Sequence, residues 1–329
     1  MIDVPLSVLD VAPVAAGRPA GEALAYTTAL ARRAEELGFR RFWVAEHHNM
    51  PAIASSAPAV LIAHLAASTS TIRVGSGGVM LPNHAPLVVA EQFGTLSALH
   101  PGRIDLGIGR APGTDQATAL ALRRTVEGLS AEDFPQELGE LMNFFSGAVA
   151  RPITATPGLG ESPEVWLLGS SGFSAQLAGI LGLPFAFAHH FSAVNTVPAL
   201  ALYRDRFQPS QWLDKPYAMV AVSTIVAETD ERAQWLAAPG GLSFLRLRQG
   251  RPQPLPTPEE AAAYPYTEVE RAFVADRQVG QAIGSVETVR AELEGLLART
   301  EADELMLTTM VYDVADRLRS FELARTLAT

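Results

Sequence analysis

Strand-like runs alternate with amphipathic helical stretches along almost the whole chain, and few folds bury both kinds of face in that order. The strand-like runs are Val4–Leu9, Arg41–Ala45, Ile72–Ser76, Ile104–Ile108, Glu164–Leu168, Phe185–Ala188, Ala218–Val226 and Glu304–Met310. The helical stretches that follow them include Ala20–Leu37, Ala57–Ser68, Leu87–Leu99, Thr114–Phe145, Ser171–Leu181, Val194–Phe207, Asp230–Leu236 and Val286–Thr300, with Val314–Leu327 closing the chain. A helix between successive strands returns the chain to the same edge, so the strands pair in parallel. Eight such units predict an α/β fold of the (β/α)8 TIM-barrel type. An open doubly wound sheet would more often show six strands and a Gly-x-Gly-x-x-Gly turn after the first, and no such turn follows Val4–Leu9. All 329 residues are expected to form a single barrel domain.

One stretch breaks the rhythm. From Pro239 to about Val279, and most plainly across Arg251-Pro252-Gln253-Pro254-Leu255-Pro256-Thr257-Pro258, the pattern suits neither a continuing helix nor a central strand. It falls before the last strand, at the level where barrels keep their active-site loops. Residues 240–279 are therefore expected to form a mobile lid insertion rather than an inert surface loop.

Composition narrows the function classes. A net charge of −10 argues against nucleic acid or an anionic membrane as partner. With no cysteine, disulfides, thiolate metal sites and cysteine nucleophiles are excluded. Lys215 is the sole lysine among 25 basic residues, so an anion held by a side-chain cation is held by arginine. Met1-Ile2-Asp3-Val4-Pro5 opens into a strand-like run rather than a signal peptide, and a cytoplasmic enzyme is expected.

Chemistry concentrates at strand ends. The second strand runs into Ala45-Glu46-His47-His48-Asn49. Because adjacent strand residues face opposite sides, at most one of the two histidines lines the interior. The expected reading is that one of His47 and His48 lines a pocket as a hydrogen-bond donor or acid/base, with Glu46 orienting it. A metal site drawing on His84, His189 and His190 lacks ligand spacing. Arg73-Val74-Gly75-Ser76-Gly77-Gly78 is read as a strand ending in glycines, which let backbone approach a flat ligand, and Asn83-His84 follows. Gly107 and Gly109 clear one face of the fourth strand, Arg110 stands at its C-terminal end, and Arg103 at the other end is expected to be structural. In Gly169-Ser170-Ser171-Gly172-Phe173-Ser174 a strand turns into a helix whose N–H groups and hydroxyls can cradle a phosphate beside an arginine.

Four ordered motifs together resemble the bacterial luciferase-like flavin monooxygenase family. They are Ala45–Asn49, Gly77-Gly78 with Leu81-Pro82-Asn83-His84, Gly102–Arg110, and Gly169-Ser170-Ser171 with Ser174. The resemblance runs from Leu6 to the end of the chain, is nearest to single-chain relatives of the luciferase alpha subunit, and includes the late turn Ile283–Val289. It implies reduced FMN at the barrel mouth, with phosphate held by Arg110, Ser171, Ser174 and the backbone of Ser170, and the ring against Gly77-Gly78, where relatives carry a cis peptide. His47 matches the family's catalytic histidine; Glu46, His48, Asn83 and His189 would line the pocket. The resemblance further implies oxygenation of a small organic substrate, aldehyde-like or otherwise apolar. O2 is the co-substrate, a separate flavin reductase the source of reduced FMN, and a homodimer the assembly. Luciferase has a reactive cysteine where this chain has Gly109, so light emission is not carried over. Three alternatives stay open: hydride transfer with the deazaflavin F420, a non-catalytic flavin-binding protein, and a metal-dependent hydrolase.

Overall fold

All eight predicted strands form, shifted at their ends by a few residues. The computed structural model describes residues 2–111, 113–123, 132–148, 152–161 and 163–328. Its strands are β1 (Leu6–Asp10), β2 (Arg41–Val44), β3 (Arg73–Met80), β4 (Ile104–Gly109), β5 (Glu164–Gly169), β6 (Phe185–Ala188), β7 (Ala218–Val226), β8 (Ala282–Gly284) and β9 (Glu304–Thr308). The strands are joined in the order β6-β5-β4-β3-β2-β1-β9-β7, and β6 pairs with β7, so eight parallel strands close into a barrel. The short β8, absent from the prediction, pairs only with the end of β7, Thr224 opposite Ala282 and Val226 opposite Gly284.

The helices are α1 (Ala20–Glu36), α2 (Pro58–Ser68), α3 (Pro86–Leu99), α4 (Gln116–Arg123), α5 (Phe134–Ser146), α6 (Gly172–Leu181) and α7 (Thr196–Arg206). They continue with α8 (Asp230–Arg248), α9 (Pro258–Ala263), α10 (Glu268–Gln278), α11 (Val286–Thr300) and α12 (Val314–Arg325). Of the helical stretch predicted over Thr114–Phe145, residues 124–131 lie outside the described residues.

Strand alternation divides the core in two. Phe42 and Val44, Val165 and Leu167, and Leu305 and Leu307 pack outward with helix residues such as Leu30, Ile62 and Phe93. Leu9, Trp43, Ala45, Trp166, Ala186, Met219, Ala221 and Met306 fill the interior. Trp43 and Trp166 meet edge to face at 5.4 Å, and burying each contributes on the order of 4–6 kcal/mol by area. Below them, at the N-terminal end, the buried Arg41 pairs with Asp105 at 2.9 Å, Glu304 at 3.1 Å and Glu164 at 3.1 Å. Trp43 Nε1 donates to the same Asp105 at 2.8 Å. This network seals the bottom, which leaves the C-terminal mouth for chemistry. Arg103 is structural, as read from its position: it donates to the carbonyls of Ala66, Thr69 and Ile72.

The segment before the last barrel strand departs from the expected loop. Helix α8 runs straight through Pro239 and ends at Arg248. An interior proline costs about 3 kcal/mol. Here burial of Leu236 and Ala237 in one apolar cluster and of Leu242 and Leu245 in another offsets that cost. The proline run then ends by starting a helix, with Thr257 capping α9 and Pro258 in its first turn. Thr267 and Glu270 form a capping box on α10.

Candidate active site

A cavity of about 470 Å³ opens at the C-terminal end of the barrel. Its floor is the top of the interior core, with Leu9, Trp43, Ala186, Ala221 and Met306, and its far wall comes from α8 and α10, with Ala237, Phe244, Val274 and Arg277. Among the described residues no Asp or Glu lines it, and the full charges there are Arg110 and Arg277.

His47 lines this cavity. It continues the inward parity of Trp43 and Ala45 two residues on. Its backbone N–H is held by the Ser55 carbonyl at 3.0 Å. The ring Nδ1 is sealed from water with no hydrogen-bond partner, while Nε2 is not among the buried unpaired atoms. An orphaned lone pair costs less than an orphaned N–H, so the favoured state is the neutral tautomer with the proton on Nε2. Burial pushes its pKa below the ordinary 6.5 and outweighs the upward pull of the Glu46 carboxylate, while the neighbouring His48 adds a smaller downward push.

Glu46 does not orient His47. Fully buried on the opposite face, it accepts from Met80 N at 3.0 Å, Asn83 Nδ2 at 3.1 Å, His84 Nε2 at 3.0 Å and His48 Nε2 at 2.9 Å. Burial pushes its carboxyl up, but the bonds from His84, His48 and Met80 outweigh this and hold it below its usual range. Glu46 therefore ties the end of β2 to the turn after β3. Glu46, His48 and Asn83 form this buttress behind the cavity rather than its lining. Three of these partners, Met80, Asn83 and His84, lie 34 to 38 residues away in sequence, out of reach of any local pattern.

The glycine-rich stretch lies within β3 rather than after it. The strand runs on to Met80 with a register shift between Gly77 and Val79. The Gly77–Gly78 peptide is cis. Both glycines line the cavity. A Cβ at Gly78 would collide with the Leu168 side chain and lie 2.8 Å from the Gly107 carbonyl oxygen. Only a bare backbone fits there.

Arg110, at the end of β4, lines the cavity together with Ser170, Ser171 and Ser174. Its guanidinium lies 4.2 Å from the Phe173 ring centroid. Ser171 is the N-cap of α6, yet its side chain makes no capping bond. The hydroxyl and the positive end of the helix are left for an anion. This donor set fits a terminal phosphate such as that of FMN.

The chain matches the family described as luciferase-like monooxygenase over residues 4–304. It is 54% identical to the uncharacterized protein YvbT of Bacillus subtilis over 98% of this chain and 96% of that one. It is 48% identical to a luciferase-like monooxygenase of Escherichia coli, again over 98% and 96%. The chain belongs to the luciferase-like monooxygenase family. A third relative in the family, 35% identical over 97% of this chain and 96% of its own length, is the N-acetyl-S-alkylcysteine monooxygenase of Bacillus subtilis. The crystal structure of apo-MsnO8 superposes with a TM-score of 0.92 at 40% identity, covering 98% of both chains. More distant structures share the fold: a 3,6-diketocamphane monooxygenase in complex with FMN (TM-score 0.72, 19% identity) and an F420-dependent secondary alcohol dehydrogenase (0.66, 13%).

Within this luciferase-like framework, the barrel mouth brings together His47, Gly77, Gly78, Arg110, Ser170, Ser171 and Ser174. His189 points elsewhere: its Nδ1 bonds Thr196 Oγ1 at 2.6 Å. His190 lines the cavity in its place. Strand parity carries the signal, since Ala186 and Ala188 both line the cavity and residue 190 continues their face. His190 Nδ1 donates to the Ala221 carbonyl at 3.0 Å, which leaves Nε2 as an acceptor, and burial pushes its pKa down to about 4. Among the described residues no cluster of three or more His, Asp or Glu could hold a metal. Also among them, no helix is long and apolar enough to cross a membrane.

Proposed function

We propose that this luciferase-like protein is an FMN-dependent monooxygenase of the two-component type. It would take reduced FMN from a separate flavin reductase and use O2 to oxygenate a small, largely apolar organic substrate. The observation that carries this reading is one arrangement: Arg110 and three serines at the start of α6 meet a side-chain-free glycine wall and a neutral histidine in one acid-free cavity. When bound, reduced FMN supplies two electrons and the activation of oxygen, one oxygen atom going to the substrate and the other leaving as water.

The chain's own residues bind, position and exclude water. Arg110 with Ser170, Ser171 and Ser174 holds the phosphate, and Gly77 and Gly78 let the main chain lie against the ring. Leu9, Trp43 and Met306 close the floor. His47 holds a proton on Nε2 at the wall of a largely apolar pocket, where it can donate and take back one proton. The segment 240–279 closes the mouth as a lid. A homodimer in the cytoplasm, built from one barrel domain per chain, belongs to the same proposal.

Similarity to the N-acetyl-S-alkylcysteine monooxygenase and the fold shared with the FMN-bound 3,6-diketocamphane enzyme support FMN and oxygen. F420 is the second reading, supported by the fold shared with the F420-dependent alcohol dehydrogenase. The test is reconstitution with FMN, a flavin reductase and labelled O2 against a substrate panel. Label appearing in a product supports the proposal. Turnover only with reduced F420, and without label uptake, favours the second reading.

A further inference from the structure

We propose that Arg277 is a substrate anchor: it binds a carboxylate on an otherwise apolar substrate, at a part of the cavity separate from Arg110. This rests on the reading that Arg110 and the serines hold the cofactor's phosphate, which uses one of the two arginines that line the cavity among the described residues and leaves the other without an anion. Arg277 lines the cavity from the last turn of α10. Among the described residues no carboxylate lies within ion-pair distance of it. Its contact is the face of Phe244, 4.7 Å from the guanidinium carbon, and Phe244 in turn stacks on Phe273 at 5.6 Å.

Among the described residues the two buried arginines of the barrel are different. Arg41 is paired with Asp105, Glu164 and Glu304, and Arg317 with Asp10. Arg277 is half-buried, and a partly desolvated cation with no counter-charge beside it is one that a ligand's anion can complete. Position in the last helical turn accounts for a cation on α10, but not for one that lines an acid-free cavity. Ile225, Ala237, Leu247 and Val274, which line the same cavity, are apolar, and Gln253, Gln278 and Gln281 add polar groups to it. Burial pushes the guanidinium's pKa down with no opposing acid, as expected for a site that lacks its anion.

Topology separates this cation from the phosphate cradle. Arg110 follows β4, while α10 belongs to the connection between β7 and β9. In the closed ring β4 stands three places from β7 and four from β9, so the two arginines reach the mouth from well-separated strands. Arg277 and the neutral His190 therefore face a substrate entering apart from the phosphate. A planar guanidinium that stacks on an aromatic ring and keeps its edge free suits a carboxylate held by two parallel hydrogen bonds.

The test is calorimetric titration of the full chain, with and without FMN, using decanoate, hexanoate and phenylacetate and the corresponding amides. At least one acid should bind ten or more times tighter than its amide. Arg277→Met should erase that difference and Arg277→Lys keep part of it, with FMN affinity changed less than threefold in both. Three results overturn the anchor: no acid preference in the parent, a preference that survives in Arg277→Met, or a tenfold loss of FMN affinity in Arg277→Met, which would put the guanidinium on the cofactor. If a variant misfolds, the parent's acid-against-amide comparison still decides. A parent that prefers acids through Arg277 but binds no FMN would sink the flavin reading while leaving the anion site standing.

Discussion

Replacing Glu46 by Gln should destabilise the protein by about 2–4 kcal/mol at neutral pH, although the two side chains are nearly the same size. The carboxylate accepts at both oxygens: Oε1 from His48, Asn83 and His84, and Oε2 from Met80 N and His84. An amide turns one acceptor into a donor. Placed at Oε2 it opposes the Met80 N–H, and placed at Oε1 it opposes the Asn83 amide. Either orientation leaves a buried donor unpaired, about 1–3 kcal/mol, and weakens charge-assisted bonds worth about 1.5–3 kcal/mol before relaxation. Relaxation of the partly exposed imidazoles recovers part of that sum. For 329 residues the unfolding entropy is about 0.7 kcal/mol per degree, so a loss of about 3 kcal/mol lowers Tm by about 4 °C.

The pH dependence supplies a second readout of the same substitution. The folded carboxyl titrates below its ordinary 4.5, so as pH falls the unfolded chain takes up the proton first. The Glu46 contribution is complete above about pH 4.5 and is lost as pH drops through the folded value. Calorimetric scans of parent and Glu46→Gln should therefore diverge at pH 7 and converge in acid. Equal Tm values at pH 7, or a gap that does not narrow in acid, would refute the account of Glu46 as a charged buttress.

Other expectations follow from the cavity. His47→Ala should lower kcat by about 10²–10⁴-fold while FMN affinity changes less than threefold, as read by rapid mixing and flavin titration. Because burial depresses the His47 pKa below 6.5, the parent's rate should hold at neutral pH and fall only on the acid side, with an apparent pKa under that value. A limb centred above 6.5 would contradict a desolvated, neutral ring. Gly78→Ala should cost about 1–3 kcal/mol by overpacking against Leu168 and the Gly107 carbonyl, and should lower FMN affinity. Unchanged thermal stability and binding would show that the wall has slack.

The barrel was legible in the sequence because two periods, two in the strands and helical between them, recur eight times and depend only on neighbours along the chain. The same parity places His47 inward, and applied to Phe185–Ala188 it would also have picked His190 over His189. What local pattern could not supply was anything made by tertiary contact. Pro239 reads as a breaker, yet the buried contacts along α8 outweigh its cost. Glu46 reads as the partner of its neighbour His47, yet its bonds go to Met80, Asn83 and His84 across a strand crossover and to His48. The third strand reads as ending at its glycines because glycine is weak in isolated strands, whereas here neighbouring backbones pass too close for any side chain. Arg277 is silent in the sequence, since nothing near it on α10 marks which way it faces.

The central claim is that the barrel mouth is an FMN site held by Arg110 and the serines of α6. Its most direct test is an anaerobic titration of the parent and Arg110→Ala with reduced FMN. The account predicts one site per chain, with affinity falling tenfold or more in Arg110→Ala, consistent with a lost charge-assisted bond of about 1.5–3 kcal/mol. Equal affinity in the two proteins, or no saturable binding to the parent, would contradict it.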